Sequence, residues 1–194
     1  MNQASASERV AAAMEATPRT RHLTPAQHSH SHEDVALPLF AGQTNSQPST
    51  VASMLILLDA PVGARVLDVG AGSGWTTAIL AHLVGETGSV LGLELVPDLA
   101  DWGATNLDAH DRPWARLERA RPDVLGAPEE GPFDRILVSA MADSVPDALV
   151  EQLAPGGVMV VPVDGRMCRV TRTQGEHEPR VEKHGHYRFV PLIH

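Results

Sequence analysis

The stretch Arg65 to Val84, RVLDVGAGSGWTTAILAHLV, does most to limit what this chain can fold into. A short run of strand character, RVLDV, enters a turn with glycines at 70, 72 and 74, and a helical pattern starts at Trp75. Glycines at alternate positions let main chain approach a ligand closely. The helix start behind them offers N–H groups with no partner inside the helix. The same grammar continues downstream. SVLGLEL (89–95) reads as a strand, PDLADWGATNLDAH (97–110) as a helix opening on Pro97, ARLERA (115–120) as a weak strand and DRILVSA (134–140) as a strong one. VPDALVEQL (145–153) reads as a helix stopped by Pro155-Gly156-Gly157, and VMVVPV (158–163) as a strand. MCRVTRT (167–173) and RVEKHGHYRFVPLI (180–193) follow as an antiparallel pair. Alternating strands and helices followed by a hairpin predict an α/β fold: a Rossmann-like, doubly wound, mainly parallel sheet with an antiparallel C-terminal edge hairpin.

Upstream of residue 60 the pattern differs. ASASERVAAAMEA (4–16) predicts a helix that Thr17-Pro18 ends, and VASMLILL (51–58) predicts another. Between them, residues 17–49 carry no clear period, which is long for a connection inside a compact domain and favours a functional loop. Its densest part is PLFAGQTNSQP (38–48), where five small hydrogen-bonding side chains stand in a row. The division is one domain over 1–194. Residues 1–60 form an N-terminal substrate-side cap, 61–165 a cofactor-binding core and 166–194 a C-terminal hairpin.

Charge and cysteine content narrow the function. A formal net charge of −9 argues against a general nucleic-acid binder. The global field will not attract an acidic substrate, so local donors must hold it. No apolar run approaches the ~18 residues of a membrane span, the N-terminus has no secretion signal, and the single cysteine, Cys168, allows no internal disulfide. A cytoplasmic monomer is expected.

The glycine spacing excludes the dinucleotide fingerprint Gly-x-Gly-x-x-Gly, because Trp75 or Thr77 falls where its third glycine belongs. Asp68-x-Gly70-x-Gly72-x-Gly74 instead resembles the loop of S-adenosylmethionine-dependent methyltransferases. That resemblance implies S-adenosyl-L-methionine as cofactor, contacted by Asp68, Gly70, Ala71, Gly72, Ser73 and Gly74. Glu94, 20 residues beyond Gly74 at the end of the second strand, would take the ribose hydroxyls with Leu95 beside it.

The flanking segments resemble one family, the protein-L-isoaspartate O-methyltransferases. The resemblance lies in AAAMEATPRTRHLTP (11–25), SHEDVALPLFAGQTNSQPSTVASML (31–55), VLDVGAGSGWTTAILAHLVG (66–85), PFDRILVSAMADSVPDALVEQLAPGGVMVVPV (132–163) and YRFVPL (187–192). The central block is common to methyltransferases; the SQP loop and the RFVPL tail belong to this family. The resemblance implies methylation of the abnormal carboxyl of isoaspartyl residues in damaged proteins or peptides. It implies Ser46 at the reacting carboxylate and Thr44, Asn45 and Gln47 around it. Main-chain contacts to the peptide are implied at Arg188, Phe189 and Val190, and adenine-side contacts at Asp123 and Val124. No metal, nucleic acid or membrane is implied. The chain departs from the family at Asn45, where isoleucine is usual, at Leu39-Phe40-Ala41, at the glycine-poor Asp123 loop, and at His28-Ser29-His30-Ser31-His32. These departures leave two alternatives open: an offshoot acting on a dedicated peptide or small acid, and a binding protein without turnover.

Other residues admit two readings each. His28, His30 and His32 fit a solvated loop or substrate contacts better than a metal site. Trp75 fits adenine stacking or packing under the loop, Cys168 core filling, and Arg19 a surface charge as well as a working one. Ser46 could be a helix cap before Pro48.

Overall fold

A computed structural model describes residues 4–173, 175 and 178–193. α1 (Ala6–Glu15) starts at Ser5, where the Ser5 hydroxyl and the Glu8 carboxylate accept each other's main-chain N–H in a capping box. Two 3-10 turns, Arg19–His22 and Pro25–His30, follow. β1 (Leu37–Pro38) and β2 (Thr44–Asn45) form a small antiparallel hairpin. α2 (Pro48–Leu58) begins on Pro48, whose fixed φ suits the first helical position.

The core alternates as its pattern predicts. β3 (Arg65–Val69), α3 (Trp75–Val84), β4 (Ser89–Glu94), α4 (Pro97–Asp108), β5 (Ala115–Arg119) and β6 (Phe133–Val138) follow one another. α5 (Asp147–Val150), β7 (Leu153–Val163), β8 (Arg166–Thr171) and β9 (Arg180–His186) complete the chain order. The seven-stranded sheet runs β5-β4-β3-β6-β7-β8-β9. β5 through β7 are parallel, and β8 and β9 pair antiparallel at one edge. Strand order reverses between β3 and β6, which opens a crevice at the strands' carboxyl ends there.

Period-two alternation sorts each parallel strand's side chains to two cores. Val66, Val90, Leu137 and Val160 pack on one face with Met54, Leu55, Ile79 and Leu80 of α2 and α3. Leu67, Leu91, Ile136 and Met159 pack on the other with Leu149 of α5. Arg135 and Arg169 tie strands to α2: their Nε atoms donate to the Leu58 and Leu57 carbonyls at 2.8 and 3.0 Å.

Three expectations change. The helix expected over 145–153 is a single turn, because Pro146 precedes its first residue and Leu153 already pairs with Phe133. Pro155-Gly156-Gly157 therefore forms an irregularity inside β7, with Gly156 at φ 79, instead of separating helix from strand. The last segment leaves the sheet after His186. Tyr187 to Ile193 runs over the loop behind β6, where the Met141 N–H donates to the Val190 carbonyl and Leu192 N–H to the Met141 carbonyl, each at 2.7 Å. Cys168 is fully buried on β8, one strand in from the edge.

Candidate active site

The carboxyl ends of β3, β4 and β6 surround a cavity of about 420 Å³. Gly70, Ala71, Gly72 and Ser73 form one wall, with Glu94, Leu95 and Val96 beside them. Gln43 to Gln47 form a second wall, and Arg188 to Ile193 a third. Of the residues lining it, Glu94 is the sole acid and Arg121 and Arg188 are the two cations.

The glycine loop is held from below. Asp68 is fully buried, and its Oδ2 accepts the Thr76 and Thr77 hydroxyls, both at 2.7 Å, while Oδ1 has no partner among the described residues. Burial, opposed by those two hydrogen bonds and helped by the nearby Glu94 charge, pushes the Asp68 carboxyl up to about 6. Asp68 therefore braces α3 against the loop and does not reach the cavity wall. Gly74 is absent from the wall as well: a Cβ there would stand 2.7 Å from the Gly103 carbonyl oxygen, so it serves the close packing of loop on α4. Gly72 is the opposite case. Its φ is +55 and a Cβ would meet nothing within 4 Å, because that direction opens into the cavity.

Glu94 is 7% exposed. Its Oε2 accepts the Gly72 N–H and its Oε1 the Val96 N–H, each at 2.9 Å. Each oxygen keeps a further lone pair for a ligand. At the far end Val124 lines the cavity, with Leu125 and Arg121. Asp123 does not: it is exposed, with φ 64, and occupies the turn position where a left-handed backbone is needed.

The Gln43–Gln47 wall is fixed by Arg19, a residue whose surface reading does not hold. Arg19 is 6% exposed and lies 5.5 Å from the centre of the Trp75 ring. Its guanidinium donates to the carbonyls of Glu33, Val35, Asn45 and Ser46 and to Asn45 Oδ1. Asn45 is 4% exposed; its Nδ2 donates to Ser73 Oγ at 3.1 Å. The capping alternative for Ser46 also fails. Gln47 occupies the cap position of α2 without a side-chain cap bond, and Asp34 Oδ1 accepts the Ser49 N–H from a distance in sequence. Gln47 turns its amide to Asp34. The Ser46 hydroxyl makes no hydrogen bond among the described residues, though Ser46 lines the cavity, as does Thr44. Arg188, Phe189 and Val190 line it too, but the Val190 carbonyl already accepts from Met141.

Trp75 packs under the loop, 4% exposed, with Nε1 donating to the Thr17 carbonyl. His28 faces the Leu23 carbonyl and His30 pairs with Glu33; among the described residues no three His, Cys, Asp or Glu side chains gather as a metal site. His22, Ser139 and Arg121 were not singled out from sequence. His22 is buried, bonded through Nδ1 to the Ser73 carbonyl and through Nε2 to His110, and burial pushes it down to about 4. Ser139 stands just past β6, beside the strand-order reversal, and that position is the signal that could have found it.

An open sheet with a glycine loop at its switch point and a carboxylate on the neighbouring strand end defines the class: a Rossmann-like fold that takes a nucleoside-bearing ligand at the carboxyl ends of its strands. Comparison with known proteins narrows this. The family described as protein-L-isoaspartate(D-aspartate) O-methyltransferase matches residues 1–194. A protein-L-isoaspartate O-methyltransferase of Methanopyrus kandleri is 43% identical over 96% of this chain and 84% of its own. One from Yersinia pestis is 41% identical over 96% of this chain and 88% of its own. A Plasmodium falciparum protein-L-isoaspartate O-methyltransferase, solved with S-adenosyl-L-homocysteine, shares the fold at a TM-score of 0.81 and 24% identity, over 95% of this chain and 90% of that one. The chain belongs to the protein-L-isoaspartate O-methyltransferase family.

Proposed function

We propose that this protein transfers a methyl group from S-adenosyl-L-methionine to the free carboxyl of an L-isoaspartyl residue in damaged proteins or peptides. One observation carries this reading: a single cavity joins the Gly72–Glu94 cradle to the Gln43–Gln47 wall, so cofactor and carboxylate can meet inside it. The residues present fit the cofactor. Gly72 leaves open space where a side chain would intrude, and Glu94 offers two anchored oxygens to adjacent hydroxyls. The wall beyond them, Leu95, Leu99, Val124 and Leu125, is apolar and suits a flat base.

Bound there, the cofactor supplies an electrophilic sulfonium methyl. The chain's own residues do the rest. A carboxylate is a nucleophile at neutral pH, so no general base is required. Ser46 offers a neutral hydroxyl to the carboxylate oxygen that does not attack, which orients it without withdrawing much charge. An arginine fork would neutralise the attacking oxygen; Arg19 instead donates to main-chain carbonyls and Asn45 and fixes the wall from outside. Asp68, Gly74 and Asp123 serve this site from behind it, as brace, packing contact and turn. The decisive experiment supplies cofactor with an isoaspartyl peptide, its aspartyl twin or no peptide, and reads methanol released from the labile ester. Release with the isoaspartyl peptide alone supports the proposal; equal release with both peptides, or none, defeats it.

A further inference from the structure

We infer that Asn45 is a positioning residue that carries occupancy of the cofactor loop to the loop holding Ser46, so that bound cofactor prepares the carboxylate site. The inference deepens the function proposed above and rests on it only for the identity of the substrate.

Two walls of one cavity must agree in position to within a fraction of an ångström for in-line transfer. Among the described residues a single hydrogen bond joins them directly: Asn45 Nδ2 to Ser73 Oγ, 3.1 Å. Ser73 belongs to the glycine loop, which departs from ordinary backbone at Gly70, Gly72 and Gly74, with φ values of 77, 55 and 80. Such a loop is restrained by what packs into it. Its floor is already tied, since the Ser73 carbonyl accepts from His22 Nδ1 at 2.9 Å and Asn106 Nδ2 at 3.1 Å. Its hydroxyl looks toward Asn45. On the other side, Asn45 Oδ1 accepts Arg19 Nε at 2.7 Å, and the same guanidinium holds the Ser46 carbonyl at 2.9 Å. The line Ser73–Asn45–Arg19–Ser46 thus consists of hydrogen bonds between groups that are buried or half-buried. An apolar residue at 45 could fill the space but could not transmit a shift of Ser73 to Arg19. Asn45 is placed by this geometry as a link between walls, its carboxamide engaged before any substrate arrives.

A ligand that orders the glycine loop should therefore order residues 43–47, and by reciprocity a ligand at 43–47 should tighten cofactor binding by the same factor. The net worth of one neutral hydrogen bond corresponds to roughly two- to tenfold in that factor.

Amide hydrogen exchange tests this without peptide or turnover. S-adenosyl-L-homocysteine at saturation, verified by calorimetry, should slow exchange in residues 43–47 of the parent by about two- to tenfold. Asn45→Leu, close in shape, should lose that response. Asn45→Asp should restore it, because its carboxylate still accepts from Arg19 and can accept the Ser73 hydroxyl. A purely structural role would not produce that rescue. Ser73→Ala removes the acceptor from the opposite wall, leaves the carbonyl contacts of Ser73 in place, and should lose the response at saturation too. An unchanged response in Asn45→Leu or Ser73→Ala, or none in the parent, overturns the inference. Absent methylation of isoaspartyl peptide by a parent that shows the response would defeat the proposed substrate and leave this link standing.

Discussion

Replacing Glu94 with alanine should weaken cofactor binding at least tenfold, and roughly a hundredfold is expected. The carboxylate is 7% exposed, and both oxygens are fixed by main-chain donors, Gly72 N–H and Val96 N–H, at 2.9 Å. A hydrogen bond to such a charged group contributes about 1.5–3 kcal/mol, and two adjacent ribose hydroxyls can use one lone pair on each oxygen. Full additivity would give about 3–6 kcal/mol, but neighbouring bonds share one anchor and water can enter the vacated space. One bond's worth corresponds to about ten- to 150-fold, so the expected loss starts there. Glu94→Gln should fall between parent and alanine: it keeps one acceptor but turns an NH₂ toward a main-chain N–H. Titration calorimetry with S-adenosyl-L-homocysteine measures the loss, with thermal unfolding to show each variant folded. Parent-like affinity in a folded Glu94→Ala protein would refute the assignment of Glu94 to the ribose.

Gly72→Val should abolish cofactor binding, both by placing a side chain in the open space and by straining a β-branched residue at φ +55, with thermal unfolding to show that the sheet stays folded; normal binding by calorimetry would make the loop only a turn. Ser46→Ala should keep S-adenosyl-L-homocysteine affinity within a few-fold and slow single-turnover methylation of an isoaspartyl peptide by roughly ten- to a thousandfold, so an unchanged rate removes Ser46 from the reacting centre. Burial holds His22 at about 4, well below its ordinary 6.5, which makes the neutral ring part of the folded state. Its contribution is present above pH 6.5 and lost as pH falls toward 4. His22→Asn, whose amide can still donate to the Ser73 carbonyl, should flatten that loss in denaturant titrations run across the window. Asp68 works in the opposite sense: raised from 3.8 to about 6, it makes the fold less stable as pH climbs from 4 to 6, and Asp68→Asn should remove that fall.

The core was legible in sequence because its signals are local. RVLDV and WTTAILAHLV carry strand and helix patterns, with the turn's glycines between them, and β3 and α3 have the expected bounds. Glu94 followed from the same regularity, since a second parallel strand must end beside the first. The substrate side was legible only through resemblance. The hairpin over 37–45 has two-residue strands, too short to leave a period, and its shape depends on Arg19, 26 residues before Asn45. A buried arginine with no ion-paired carboxylate among the described residues reads in sequence like any surface cation. Nothing local in the sequence reveals that Ser73 and Arg19 hold the amide of Asn45, which also lines the cavity. Asp123 looked like an adenine-side acid, yet its left-handed backbone is a property of the turn, which residue identity alone does not disclose.

The clamp at the foot of the 37–45 hairpin bears on how this protein can diversify. Asp34 grips Ser49 and Gln47, and Arg19 grips Glu33, Val35, Asn45 and Ser46, so both legs are riveted at the same level. The tip, Leu39 to Gly42, projects beyond the rivets, with Ala41 and Gly42 in left-handed backbone at φ 55 and 72. Leu39 and Phe40 tie the tip back to Gln43 through main-chain hydrogen bonds of 2.8 and 3.2 Å, so a change confined to Ala41 and Gly42 should leave the register of Ser46 in place. The exposed residues Ala41 and Gly42 are the ones open to change, since Phe40 beside them packs on the Trp102 ring of α4 at 5.4 Å between centroids; under the proposed function, reach toward different polypeptides varies there while the legs hold Ser46.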